Sequence, residues 1–139
     1  MQEIVIESLQ TIQNAAKTFL QKTQGQKYFA FKGEMGSGKT TFIQAICNVL
    51  NITNTASSPS FSIVNEYYSP TFGTIFHFDF YRIEKETEVL DLGFEDYLNQ
   101  NAIIFIEWPE MIPNYLPEST LIVEISVQPN GIRLLQFQE

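Results

Sequence analysis

The chain is poor in positive charge and in cysteine, and each shortage excludes a class of protein. It has 8 Lys and Arg residues against 16 Asp and Glu, which gives a formal net charge of −8. Binding of nucleic acid depends mostly on clustered Lys and Arg, so a domain that binds nucleic acid by itself is disfavoured. Cys47 is the only cysteine, which excludes an internal disulfide. It lies in the apolar series of a predicted helix, so we expect it to pack in the core.

Long apolar runs and an export signal are also missing. No apolar stretch approaches the roughly 20 residues of a membrane-spanning helix. The N-terminal sequence MQEIVIESLQ is acidic and lacks the continuous apolar region of a signal peptide. We therefore expect a cytoplasmic protein with no membrane partner. The length of 139 residues suits one domain, 1–139, around a single core.

Acidic residues, in contrast, are concentrated in one segment. Six of the 16 lie within residues 84–96, and these are Glu84, Glu86, Glu88, Asp91, Glu95 and Asp96. Two interpretations are open: the solvated face of a helix, or a docking surface for a basic partner.

The spacing of apolar residues predicts strands and helices that alternate along the chain. Strands are predicted at 3–8, 27–32, 61–68, 74–81, 102–107, 119–127 and 131–137. Helices are predicted after a cap at Ser8, at 40–50 and at 84–99, with a break at Gly93. The Asn130-Gly131 pair predicts a hairpin between the last two strands. We expect an α/β sandwich in which a mixed parallel and antiparallel sheet carries flanking helices, with antiparallel strands added at its edge.

The sequence GEMGSGKTTF (33–42) fits the phosphate-loop pattern G-x-x-x-x-G-K-[ST], with the required strand before it and helix after it. Glycines let backbone N–H groups surround a triphosphate without an intruding Cβ. Lys39 should reach the β and γ oxygens, and the Thr40 hydroxyl should ligate Mg²⁺. No individual role follows for Glu34 or Met35. The fold should therefore be P-loop NTPase-like, and the predicted nucleotide-binding residues are Gly33, Glu34, Met35, Gly36, Ser37, Gly38, Lys39, Thr40 and Thr41.

A carboxylate opposite Thr40 is needed to complete such a metal site. Glu107 ends the apolar run AIIFIE, which suits a central buried strand. Asp79, inside HFDFYR, is the rival, and either residue could hold Mg²⁺ through a water or orient an attacking water. We predict Glu107, Asp79 and Lys39 as catalytic residues, and Thr40 with Glu107 as the metal site. His77 should share a strand face with Asp79, in a structural or a catalytic role.

Three further features have two readings each. Arg82 is predicted to pair with a phosphate or with an acidic neighbour. Trp108 is expected either to pack near the nucleotide or to serve as a core or surface anchor. The loop at residues 57–61 is either a segment that responds to the γ-phosphate or an ordinary polar connection.

At this point the chain resembles the TsaE family (also called YjeE), small P-loop ATPases of bacterial tRNA threonylcarbamoyladenosine synthesis. The resemblance spans nearly the whole chain. It rests on GEMGSGKTTF (33–42), SSPSFSIVNEYY (57–68), HFDFYRI (77–83), LGFEDYL (92–98) and IEWPEMIP (106–113).

The resemblance implies binding of ATP and Mg²⁺, and hydrolysis of ATP that is weak in the isolated protein. It also implies association with TsaD and TsaB, the pair that transfers a threonylcarbamoyl group to adenosine 37 of tRNA. Contact with tRNA would then be indirect. By position, Glu107 matches the Walker B acid of the family and Asp79 the acid of its HxD motif.

Two other functions remain open from the residues. A small-molecule phosphotransferase is disfavoured, because the chain has only two arginines, Arg82 and Arg133, and no basic lid segment. A nucleotide-dependent binding module without significant turnover is the other alternative.

Overall fold

The strands assemble into one seven-stranded sheet in a computed structural model that describes residues 1–52 and 63–138. The strands are β1 (Gln2–Ile6), β2 (Tyr28–Lys32), β3 (Val64–Ser69), β4 (Gly73–Asp79), β5 (Ile103–Glu107), β6 (Leu121–Val127) and β7 (Arg133–Phe137). The helices are α1 (Ile12–Lys22), α2 (Lys39–Val49), α3 (Glu88–Leu92) and α4 (Phe94–Leu98). A 3₁₀ turn follows β5 at Pro109–Met111.

The strand order is β1-β7-β6-β2-β5-β4-β3. Neighbours from β6 through β2 and β5 to β4 run parallel, whereas β3 pairs antiparallel with β4, and β7 pairs antiparallel with both β6 and β1. The predicted mixed sheet and the hairpin at Asn130-Gly131 are confirmed. The antiparallel strands lie at both edges of the sheet, with β3 at one edge and β7 and β1 at the other.

Alternation along the central strands divides the core into two layers. In β2, Phe29 and Phe31 are buried against α1 and α2, whereas Ala30 joins the layer that contains Phe94 of α4. Successive side chains of a strand point to opposite faces, so both faces of the sheet must be covered by helices. Because β6, β2, β5 and β4 run parallel, their carboxyl ends meet at one edge of the sheet, where the glycine-rich loop leaves β2.

Helix α1 begins later than its periodicity predicts. Thr11, not Ser8, directly precedes the helix. The Thr11 hydroxyl accepts the Ser8 N–H at 3.1 Å and donates to the Ser8 carbonyl at 3.1 Å. This local turn competes with helix formation, which leaves Leu9 outside the helix and 75% exposed.

The break between α3 and α4 falls at Gly93 as predicted, with φ +79. Each helix of the described residues is too short or too polar to cross a lipid bilayer.

Two of the clustered acidic side chains stabilise local structure. The Glu88 carboxylate accepts the backbone N–H groups of Glu84 and Lys85 at 2.6 and 2.7 Å, and these bonds lower the pKa of Glu88. Glu86 accepts the backbone and side-chain N–H groups of Asn114. The docking interpretation stays a prediction, and it now depends on the remaining acidic residues, which are exposed: Glu84, Asp91, Glu95 and Asp96.

Cys47 packs in the core as expected, with 4% of its surface exposed, and burial raises the pKa of its thiol to about 11. Because the thiolate is the reactive form, we expect the folded protein to react with an aromatic disulfide reagent at about pH 8 at least ~100-fold more slowly than the unfolded chain. Stopped-flow absorbance with and without denaturant measures this ratio. Similar rates in both states would contradict the buried position.

Candidate nucleotide-binding site

The loop between β2 and α2 has a backbone shape that requires glycine. Gly36 and Gly38 have φ of +82 and +104, in the left-handed region that L side chains rarely adopt. A Cβ at Gly33 would lie 2.6 Å from the Ile125 carbonyl oxygen and 2.6 Å from Ser37 Oγ. The chain thus curls tightly into the N-terminus of α2, where unpaired N–H groups and the helix dipole favour an anion.

Lys39, the first residue of α2, is buried beside this loop with 5% of its surface exposed. Its Nζ donates to the Gly33 carbonyl at 2.6 Å and lies 3.6 Å from the ring centroid of Trp108. Burial lowers the pKa of Lys39, while Glu107, Glu110 and Asp79 oppose that shift. The ammonium is held by one carbonyl and one aromatic face, which an incoming phosphate can replace.

Thr40 and Glu107 meet across the site, as the predicted metal pair requires. The Thr40 hydroxyl lies 2.9 and 3.0 Å from the two carboxylate oxygens of Glu107. Glu107 ends β5 and is 3% exposed. A hydroxyl and a carboxylate at this distance are hard oxygen donors of the kind that Mg²⁺ takes in phosphate-loop proteins.

The rival carboxylate, Asp79, lies at the end of β4, directly opposite Glu107 in the parallel pairing of β4 with β5. It is exposed, lines the same cleft, and accepts the Tyr81 backbone N–H at 3.0 Å. Asp79 is therefore close to the site but is engaged in a turn and lacks a described bond to Thr40.

His77 is brought to Glu107 rather than to Asp79. Its Nε2 lies 2.6 Å from Glu107 Oε2, and the ring is buried. Together with Thr40, His77 fixes the orientation of the Glu107 carboxylate from two sides. Sequence reasoning placed His77 near the site but could not find this contact, because it depends on the pairing of β4 with β5.

Trp108 lines the same cleft as Lys39 and Thr40, and its predicted packing near a nucleotide stays a prediction. It has φ +59, an uncommon value for a residue with a side chain. Its ring covers Lys39 and lies 5.0 Å from the Tyr81 ring, measured between centroids. Backbone strain of this kind is concentrated at functional sites.

Arg133 is a site residue for which the sequence predicted no role. Its Nε donates to the Ser37 carbonyl at 2.8 Å, and Nη2 lies 3.4 Å from the Gly36 carbonyl oxygen. The contact joins positions 96 and 97 residues apart, so no local pattern could reveal it.

These residues surround a cleft of about 540 Å³. Met35 and Thr41 are exposed on its wall, and the β1–α1 connection forms the far side through Glu7, Ser8 and Leu9. The remaining predicted loop residue, Glu34, uses its carbonyl to accept the Ser37 N–H at 3.0 Å. Arg82 is exposed, and its predicted role stays open. The loop at residues 57–61 lies outside the described residues.

The residues present fit ATP and Mg²⁺. The buried Lys39 ammonium and the oxygen donors of Thr40 and Glu107 line the same cleft as Gly36 and Gly38 of the loop. Within the described part of the chain no three His, Cys, Asp or Glu residues form a metal cluster. A phosphate-loop metal does not need one, because phosphate oxygens and waters complete its coordination.

The fold and this loop together define a protein of the P-loop class. The family model described as threonylcarbamoyl adenosine biosynthesis protein TsaE matches residues 6–134. The chain belongs to the TsaE family.

Individual relatives agree with this assignment. The tRNA threonylcarbamoyladenosine biosynthesis protein TsaE of Rickettsia prowazekii is 36% identical over 135 residues, which cover 96% of this chain and 92% of that protein. The protein of the same name from Aquifex aeolicus is 30% identical over 112 residues, covering 79% of this chain and 78% of its own length. The crystal structure of Bacillus subtilis YdiB superposes with a TM-score of 0.78 at 24% identity and covers 98% of this chain and 83% of YdiB. That likeness confirms the α/β fold alone.

Proposed function

We propose that this chain binds ATP with Mg²⁺ and hydrolyses it, and that this cycle supports the TsaD–TsaB pair in threonylcarbamoyl modification of tRNA. The observation that carries the proposal is the contact of the Thr40 hydroxyl with both oxygens of Glu107, at 2.9 and 3.0 Å, at the exit of a phosphate loop. Membership of the TsaE family supplies the pathway.

This proposal gives separate roles to the loop backbone, Lys39, Thr40, Glu107, His77 and Trp108. Backbone N–H groups of the loop bind the phosphates, and Lys39 places a cation beside the β and γ oxygens. Mg²⁺, when bound, neutralises phosphate charge; Thr40 and Glu107 would hold it. The Glu107 carboxylate, oriented by His77, also accepts a hydrogen bond from a water and so orients it toward the phosphate. Trp108 covers Lys39 and excludes water from its ammonium.

The remaining parts of the proposal concern the surroundings of the domain. A net charge of −8 opposes direct binding to the tRNA backbone, so we assign tRNA contact to the partners. The exposed acidic residues of α3 and α4 are the surface we assign to a basic partner. We place the protein in the cytoplasm, where its proposed partners would meet tRNA.

The deciding experiment measures phosphate release and co-purification with the TsaD–TsaB pair. We expect slow release from the chain alone and faster release with the pair. Lys39→Ala should abolish phosphate release with and without the pair, whereas Lys27→Ala should not. Lys27 is the matched control because its Nζ contacts Asn101, in a pocket separate from the cleft. Nucleotide binding without release, with or without the pair, would instead favour the binding module, and a phosphorylated acceptor would favour the phosphotransferase.

A further inference from the structure

Arg133 reaches the phosphate loop from a rigid base. It is the first residue of β7, where its backbone pairs with Ile6 of β1 on one side and Val127 of β6 on the other. Strand pairing on both sides leaves its Cα little freedom to move, so its side chain extends toward the loop from an anchored position.

The guanidinium contacts two consecutive carbonyl groups of the loop. Its Nε–H donates to Ser37 O at 2.8 Å, and Nη2 approaches Gly36 O at 3.4 Å. A Cβ placed on Gly38 would lie 3.1 Å from Nε, so the side chain fills the space that this glycine leaves free. A planar fork with several N–H groups suits this double contact, and a lysine ammonium cannot reproduce it.

The physical need for such a support follows from the glycines themselves. In a planar trans peptide, the carbonyl and the following N–H point in opposite directions. Gly36 and Gly38 populate positive and negative φ about equally readily. Within the loop, the Gly36–Ser37 plane is restrained by the Ser37 N–H bond to the Glu34 carbonyl at 3.0 Å. A reversed plane would direct a carbonyl oxygen at the phosphates in place of an N–H. The 2.8 Å bond to Ser37 O therefore fixes the plane that contains the Gly38 N–H, and the contact with Gly36 O adds to the turn bond that already holds the Ser37 N–H.

We propose that Arg133 is a positioning residue that locks the phosphate loop in its anion-binding shape through the carbonyls of Gly36 and Ser37. This inference rests on the proposed nucleotide binding. It differs from the simpler role of a cation that touches phosphate, which the position of Arg133 on the cleft wall also permits. The two roles predict different behaviour for lysine at this position and for the loop without ligand.

The first test measures the affinity of ATP and of tripolyphosphate by calorimetry for wild type, Arg133→Met, Arg133→Lys and the charge control Lys27→Met. We expect Arg133→Met to bind both ligands roughly 10-fold more weakly. Arg133→Lys should recover little of that loss at any salt concentration between about 0.05 and about 0.5 M, because an ammonium cannot make the double contact. Lys27→Met should bind like wild type, and melting temperatures establish that each variant is folded.

The second test needs no ligand and is hydrogen–deuterium exchange of the peptide that covers residues 33–41. Faster exchange there in Arg133→Met and Arg133→Lys, with unchanged exchange in α1 and β5, supports positioning. Wild-type affinity in Arg133→Lys, or unchanged exchange in both variants, overturns it. Wild type that binds neither ATP nor tripolyphosphate overturns the proposed function and this inference together, whereas wild-type binding that Arg133→Met retains overturns this inference alone.

Discussion

Replacing Lys39 with alanine is expected to weaken ATP binding by at least about 100-fold, equivalent to roughly 2.7 kcal/mol. The ammonium lies among three carboxylates that act on it, those of Glu107, Glu110 and Asp79. Removing it leaves this negative charge to face the incoming phosphates without compensation. The loss therefore combines an attraction that disappears and a repulsion that is exposed, inside a partly enclosed cleft where charges are weakly screened.

The same variant should lose little stability without ligand. Burial lowers the pKa of Lys39, so folding already disfavours its charged form. A companion variant, Lys39→Met, keeps most of the aliphatic stem and removes the ammonium that lies over the Trp108 ring. Isothermal calorimetry gives the affinity, and thermal unfolding without nucleotide gives the stability. ATP affinity within a few-fold of wild type in both variants would contradict the assignment of the phosphate loop.

The predictable part of the site is the part that local sequence patterns reveal. The loop from Gly33 to Thr40 could be found because its glycines, lysine and threonine act within eight consecutive positions. Glu107 could be found because an apolar run that ends in a carboxylate predicts a buried strand with its acid at the sheet edge. Both predictions use only local periodicity and the chemistry of one residue type.

The contacts that the sequence did not reveal depend on strand pairing. His77 reaches Glu107 only because β4 pairs with β5 so that Asp79 lies opposite Glu107. A shift of one residue would turn His77 to the other face of the sheet. Arg133 reaches the loop only because the last strand returns beside β6. Pairing of this kind is settled by burial across the whole sheet, which a single sequence does not record.

The late start of α1 has a more local cause. Apolar spacing predicted a helix from Ser8, but three hydrogen bonds between Ser8 and Thr11, two of them through the Thr11 hydroxyl, hold a turn there. Hydroxyl side chains offer the backbone such alternatives to a helix, and periodicity counts only apolar positions. The consequence is functional, because this turn and Leu9 form a wall of the cleft instead of the first helical turn.

Replacing Glu107 with glutamine is expected to lower ATP turnover by about 100-fold or more while changing ATP affinity by less than about 10-fold. Both carboxylate oxygens contact the Thr40 hydroxyl, and Oε2 also contacts His77 Nε2. An amide keeps the shape but loses the negative charge and replaces one acceptor oxygen with a donor. Holding Mg²⁺ and orienting water both need an anionic acceptor, whereas the phosphates are bound mainly by the loop and Lys39.

Asp79→Asn is the matched comparison, because it makes the same chemical change at the strand position directly opposite Glu107. Asp79 is exposed and accepts a backbone N–H from Tyr81. The fold reduction in turnover caused by Asp79→Asn should therefore be at least about tenfold smaller than that caused by Glu107→Gln. Steady-state phosphate release with the TsaD–TsaB pair, together with calorimetric ATP affinity for each variant, separates the two residues. If Asp79→Asn loses more turnover than Glu107→Gln, the exposed carboxylate, not the buried one paired with His77, is the group that acts on metal or water.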